Sequence, residues 1–186
     1  SQHYSRFSSA NNHLLVEATA IGLAGLAFHC EKWKTLGISI LTEELLKQNY
    51  TDGVNKELSL HYQMFGMEAY ELMIHSMQTC NCNVPEIWLQ MLEKMTEYVG
   101  CSSWRGNVAM EFGDDDEGKI LDLQGGEINH LQYIMQLCSL VLKIPYQYTF
   151  QHPVNETVCW LFTDEEIGDM KRMAPLPVSD DCCFKE

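Results

Sequence analysis

The sequence predicts a mainly α-helical fold of stacked αα-hairpins, and three observations carry that expectation. Four apolar stretches at helical spacing fall within about ninety residues, and short connections with turn signals join them. The chain has 186 residues, 46% of them hydrophobic, enough for one sizeable core and short for two.

Taken in order, residues 11–29 form the first helix. The polar Asn11, Asn12 and His13 open it, and Ala18, Ile21, Leu23, Leu26 and Phe28 follow at roughly helical spacing. Small residues, Ala20, Gly22, Ala24, Gly25 and Ala27 among them, let a neighbouring helix approach closely. The second helix covers 31–48 on Trp33, Leu36, Ile40, Leu41, Leu45 and Leu46, and stops at the Asp52-Gly53 turn signal. A third, over 57–79, carries Leu60, Met64, Met67, Tyr70, Met73 and Met77. Pro85 starts a fourth, which runs through Trp88, Met91, Leu92, Met95 and Val99.

After Gly100 the pattern changes. Residues 101–126 read as a long irregular segment with the acidic run Asp114-Asp115-Asp116-Glu117 and a short strand at 119–123. A helix follows over 127–143, and a shorter one over 163–173 with Thr163 as its cap and Glu166 in the capping-box position. The tail from Pro175 has no helical period and reads as the first strand of something else. The expected division is therefore 1–174, helical, and 175–186, the start of a following domain or a tail.

The net charge of −14 and a pI near 4.8 exclude a nucleic-acid surface, because phosphate binding needs clustered Lys and Arg, and the twelve present are scattered. No apolar run is long enough to span a membrane, and Ser1 opens no charged-then-apolar leader. The eight cysteines fit neither a zinc knuckle nor a compact disulfide scaffold. They leave the redox compartment open, and neither a metal nor a cofactor is expected. Asp114, Asp116 and Gly118 superficially match a calcium loop, but Gly125 stands where the bidentate Glu belongs, which leaves a solvated turn. Asn49-Tyr50-Thr51 and Asn155-Glu156-Thr157 fit the glycosylation triplet.

One returning helix between the first and third puts both of their N-termini at one end of a hairpin pair. Asn12 and His13 at one start therefore meet Tyr62 at the other, with Asn11, Glu17 and Glu57 close by. Helix N-termini attract anions, and Asn and neutral His add directional hydrogen bonds. The combination suits removal of a proton beside a carboxylate. Amides and helix ends neutralise a uronic acid and spread the enolate charge, so its C5 proton leaves more easily. A tyrosine takes that proton when its pKa is depressed, and when protonated gives one to the leaving glycosidic oxygen. The alternative from the same spacing is structural, with His13 in a capping role and Tyr62 a core aromatic whose hydroxyl sits at the rim.

The ordered set Ser9-x-Asn11-Asn12-His13-x-x-x-Glu17, Gly22-Leu23, Ala24-Gly25-Leu26, Trp33, then Gln48-x-x-x-Asp52-Gly53-x-x-x-Glu57-x-Ser59-x-x-Tyr62 resembles the heparinase II/III-like polysaccharide lyases. Gly113-Asp114-Asp115-Asp116-Glu117-Gly118 is similar to the loop that closes that family's helical domain. The resemblance spans roughly residues 5–123. It implies an α/α toroid followed by an antiparallel β-sandwich, of which this chain covers the later toroid, 1–174, and the threshold of the sandwich, 175–186. It implies β-elimination of uronic-acid glycans, heparin/heparan-like or alginate-like, and an acidic polysaccharide or oligosaccharide as partner. By position, Asn12 matches the carboxylate-neutralising amide, His13 its neighbouring histidine and Tyr62 the catalytic tyrosine, with Asn11, Glu17 and Glu57 beside the substrate. Two departures stand out. Gln63 follows the tyrosine where the family often has His, and neither His130 nor His152 sits in the context of the sandwich histidine. The resemblance implies a periplasmic or secreted protein, while the cysteine count leaves the cytoplasm open. The other readings are a glycan-binding relative without catalysis and a helical scaffold.

Overall fold

A computed structural model describes residues 11–104, 108–109, 112–115, 117–123, 129–147 and 149–176, with backbone alone at 103–104 and 108–109. Its helices are α1 (Asn12–Ala27), α2 (Glu31–Gln48), α3 (Leu60–Thr79), α4 (Glu86–Cys101), α5 (His130–Leu142), α6 (Glu156–Leu161) and α7 (Asp164–Arg172). Two-residue strands β1 (Ser103–Trp104) and β2 (Val108–Ala109) form an antiparallel pair after α4. The fold is mainly α, as the sequence indicates. Among the described residues, no helix is long and apolar enough to cross a membrane.

α1 and α2 make an αα-hairpin in backbone contact. A Cβ added at Gly37 would stand 2.6 Å from Gly22 Cα, and one at Gly25 would stand 2.2 Å from the Lys34 nitrogen. The small residues of the first helix thus set the spacing of the pair, since any side chain at these points would push the axes apart. α3 is the hub, packed against α1, α4 and α5. It is buried along nearly its whole length, from Leu60 to Met77, which accounts for apolar residues on all its faces. Trp88 of α4, fully buried, donates to Thr42 Oγ1 at 3.0 Å. It meets the ring of Tyr70 edge to face, and the Tyr70 hydroxyl donates to the Leu41 carbonyl at 3.0 Å. These bonds satisfy the polar tips of two large aromatics in the α2–α3–α4 core.

Four sequence expectations change. The third helix begins at Leu60, not at 57, because Leu58 turns through φ +52° and Ser59 caps the helix by accepting from the Tyr62 N–H at 3.2 Å. No strand forms at 119–123. The Ile120 and Leu121 N–H groups bond the Glu68 carboxylate at 2.8 Å each, and the Leu123 N–H bonds Thr157 Oγ1 at 3.2 Å, so side chains take the place of a partner strand. α6 was not foreseen; Asn155 caps it, accepting from the Thr157 N–H at 2.8 Å. The helix expected from 127 begins at His130, with residues 124–128 outside those described. The capping box of Thr163 and Glu166 is present as expected. Residues 177–186 of the expected second unit also lie outside, and Leu176 bridges back to Tyr146 in parallel sense.

Asn49 and Asn155 of the two glycosylation triplets are buried and hydrogen-bonded. Cys101 is disulfide-bonded, while Cys30, Cys80, Cys82, Cys138 and Cys159 are free thiols.

Candidate active site

The site forms where the starts of α1 and α3 come together. Asn11 is the N-cap residue of α1 but makes no side-chain capping bond, so its amide is available elsewhere. The Asn11 amide donates to Glu57 Oε1, and Asn12 Nδ2 donates to Glu57 Oε2 at 3.3 Å. One carboxylate is thereby held across both oxygens by two amides. Gln48 Nε2, anchored at 2.8 Å on the buried Glu44, also donates to the Asn11 carbonyl at 3.3 Å.

The segment between α2 and α3 aims Glu57 at this point. Gly53, at φ +93°, lies so close to α4 that a Cβ there would stand 2.8 Å from the Met95 nitrogen. Gln63, buried in α3, grips the turn from beneath. Its Oε1 accepts from the Asn55 N–H at 2.6 Å and its Nε2 donates to the Gly53 carbonyl at 3.1 Å. Asn55 Oδ1 then accepts from the Glu57 N–H at 2.8 Å. The departure from the family pattern at position 63 thus has a local structural use, since both ends of the amide are needed.

The acidic loop forms another wall. The Ser59 hydroxyl donates to the Asp114 carbonyl at 2.5 Å, and Asp115 pairs with His61 Nδ1 at 3.0 Å. A Cβ at Gly113, at φ +79°, would stand 2.5 Å from Ser59 Cα. These bonds dock the loop on the start of α3, while its residues 112–115 stay exposed to solvent as the solvated-turn reading expects. His61 itself is buried, 5.5 Å from the Tyr62 ring and 5.6 Å from that of His130.

Asn11, Asn12, His13, Glu17, Glu57 and Tyr62 all line one open cleft of about 680 Å³. Val16, Ser59, Phe65 and Asp114 are the other lining residues among those described. Val16 lies four residues after Asn12 and Phe65 three after Tyr62, so helical periodicity could have found both. Asp114 had no such signal, because the loop arrives from 55 residues further along the chain than Ser59. His130 and His152 are not in the lining. Among the described lining residues, amides and helix starts are the groups that can meet an anion. No group of three metal-ligating side chains occurs among the described residues, and Asp116 of the calcium-like run lies outside them.

Further along α3 two fully buried carboxyl groups differ in their partners. Glu68 takes the N–H groups of Ile120 and Leu121 and the Tyr133 hydroxyl, the last at 3.1 Å, with His130 Nε2 at 3.8 Å. Glu71 has Cys138 Sγ at 2.6 Å on one oxygen and, among the described residues, no hydrogen-bond partner on the other. Burial pushes its carboxyl well above the ordinary 4.5; the Cys138 bond opposes this and the charge of Glu68 adds to it. Burial likewise raises the Cys138 thiol and the Tyr133 phenol.

The family model described as Heparinase II/III N-terminus matches residues 1–153. A heparin-sulfate lyase of Bacteroides thetaiotaomicron is 34% identical over 100 residues, which cover 50% of this chain and 14% of that protein. The heparin-sulfate lyase of Pedobacter heparinus is 32% identical over 101 residues, 51% of this chain and 15% of the relative. That of Bacteroides stercoris is 32% identical over 95 residues, 48% and 14% respectively. The matches thus span about one seventh of each relative. No solved structure matches the chain.

Proposed function

The chain belongs to the heparinase II/III family, by the match over residues 1–153, and on that premise we propose that it is part of a polysaccharide lyase cleaving uronic-acid glycans by β-elimination. One observation carries the reading. The Asn11 and Asn12 amides already hold a carboxylate, that of Glu57, on the cleft that Tyr62 also lines. The chemistry required of the cleft is the same, a carboxylate received by neutral donors beside a group able to move a proton.

In the proposed reaction a sugar carboxylate meets Asn12, with His13 beside it. Amide donors and the α1 start spread the negative charge that develops as the C5 proton leaves. Tyr62 takes that proton as tyrosinate, and in protonated form gives one to the departing oxygen. The C4–O bond breaks, a C4–C5 double bond forms, and a new chain end is released. Asn11, Glu17 and Glu57 lie along the path of the glycan. Names of the relatives favour a heparin- or heparan-like glycan, and alginate, which shares the uronic acid, is the second candidate. The toroid architecture, the division at residue 174 and a following β-sandwich belong to the same proposal.

The test is ultraviolet absorbance of the full-length protein with heparan sulfate, heparosan and alginate. An unsaturated product absorbs, and Tyr62→Phe is expected to slow its appearance at least about a hundredfold. Binding to a glycan without any rise in absorbance would replace the lyase with a glycan-binding relative. Neither binding nor turnover would leave a helical scaffold.

A further inference from the structure

An asparagine amide has two ends of nearly equal shape, one donating and one accepting, so packing alone does not choose which end faces a ligand. At Asn11 and Asn12 Glu57 makes the choice. An ionised carboxylate only accepts, and turning either amide over would set oxygen against oxygen. On the far side of Asn12, Oδ1 is buried and has no hydrogen-bond partner among the described residues, so nothing there favours the present orientation. Glu57 is itself aimed. Its N–H is bound by Asn55 Oδ1, and the Asn55 N–H by Gln63 Oε1 in α3, so the direction of the carboxylate descends from the core.

We propose that Glu57 is a positioning residue, holding the Asn11 and Asn12 amides with their donor ends toward the cleft and leaving one N–H of each for a sugar carboxylate. This rests on the reading of the cleft as a uronate site and refines it, because Glu57 then acts through the asparagines and not by touching the glycan. A carboxylate at this point would otherwise repel an anionic substrate. Its charge is instead taken up by the amides, and each charge-assisted bond fixes a direction as well as supplying energy.

Glu57→Gln and Glu57→Ala test the proposal in the full-length protein, with heparosan as substrate. Glutamine keeps the size but can present either end to the asparagines. Both variants should fold, since Glu57 is exposed. Lost orientation should lower kcat about tenfold with KM within about twofold, because misdirected donors fail where charge develops. An unchanged kcat overturns the proposal. A rise in KM alone makes Glu57 a glycan contact, a fall in KM makes it a competitor of the substrate's carboxylate, and either overturns it too. Side-chain amide NMR provides a readout independent of turnover. In the parent protein the Asn11 and Asn12 side-chain amide signals should carry the downfield shift of N–H groups bound to a carboxylate, and in Glu57→Gln and Glu57→Ala both should lose it. If no glycan is turned over, the lyase reading fails and the amide signals alone decide the role of Glu57; signals that are the same in the parent and the variants overturn it.

Discussion

The start and the middle of helix α3 treat carboxyl groups in opposite ways. At its start, Glu57 is exposed, and its charge is met by side-chain amides that a ligand could also use. Along its buried middle, Glu68 and Glu71 have no access to water and depend wholly on the protein. Glu68 finds two N–H groups and a phenol, whereas Glu71 finds one thiol and is pushed toward its neutral form. The contrast shows that donors, more than depth, decide what a carboxyl group can do. Near water, spare donors make a site; in the core, a full set makes a clamp and an incomplete set makes a neutral acid.

The largest effect that would break this comparison is expected at Glu68. Glu68→Ala strands two N–H groups and a hydroxyl, and each buried group left unpaired costs about 1–3 kcal/mol, so a loss of about 4 kcal/mol is expected in denaturant unfolding. A loss below about 1 kcal/mol would mean that the 117–123 segment finds other partners. Gln63→Ala should cost less, about 2 kcal/mol, because it releases one N–H and one carbonyl of the turn below Glu57. It should also raise the exchange rate of the Asn55 amide hydrogen, and unchanged exchange would place the rigidity of the turn elsewhere.

The smallest effect concerns Glu71 and has a definite sign. Its folded-state value is raised, so the folded protein holds the proton longer than the unfolded chain. Its contribution to stability is complete below pH 4.5 and is lost progressively as pH climbs through the raised folded value. Glu71→Gln should lie within about 1 kcal/mol of the parent at pH 5 and gain on it as pH rises. Melting temperatures across that range check it; parallel curves would mean that Glu71 is charged in the folded protein.

Much of the hairpin layer was legible because local signals and burial agree there. Gly22 and Gly25 are small where the first helix touches the second, Asp52-Gly53 turns where Gly53 takes φ +93°, and Thr163 with Glu166 caps α7. At the site, the residue types and their two helix starts could be read, since hairpin return brings Asn12 and Tyr62 to one end. The bond from both asparagines to Glu57 could not. It depends on the turn gripped by Gln63, whose partners are fixed only after α3 is packed. The strand expected at 119–123 failed for a related reason, since an alternation of residues does not reveal a carboxylate 52 positions away waiting for its N–H groups.

By itself the sequence determined the helices other than α6, the close approach of the first pair and the chemical inventory at the two starts, because those follow from periodicity, residue size and capping within a few turns. Only the tertiary structure decided which donors those groups face. That choice places Glu57 on the asparagines, Asp115 on His61 and the Ile120 and Leu121 N–H groups on Glu68. The physical reason is that a hydrogen bond requires atoms within about 3 Å and in line, a condition set by packing between distant segments and not by their order along the chain.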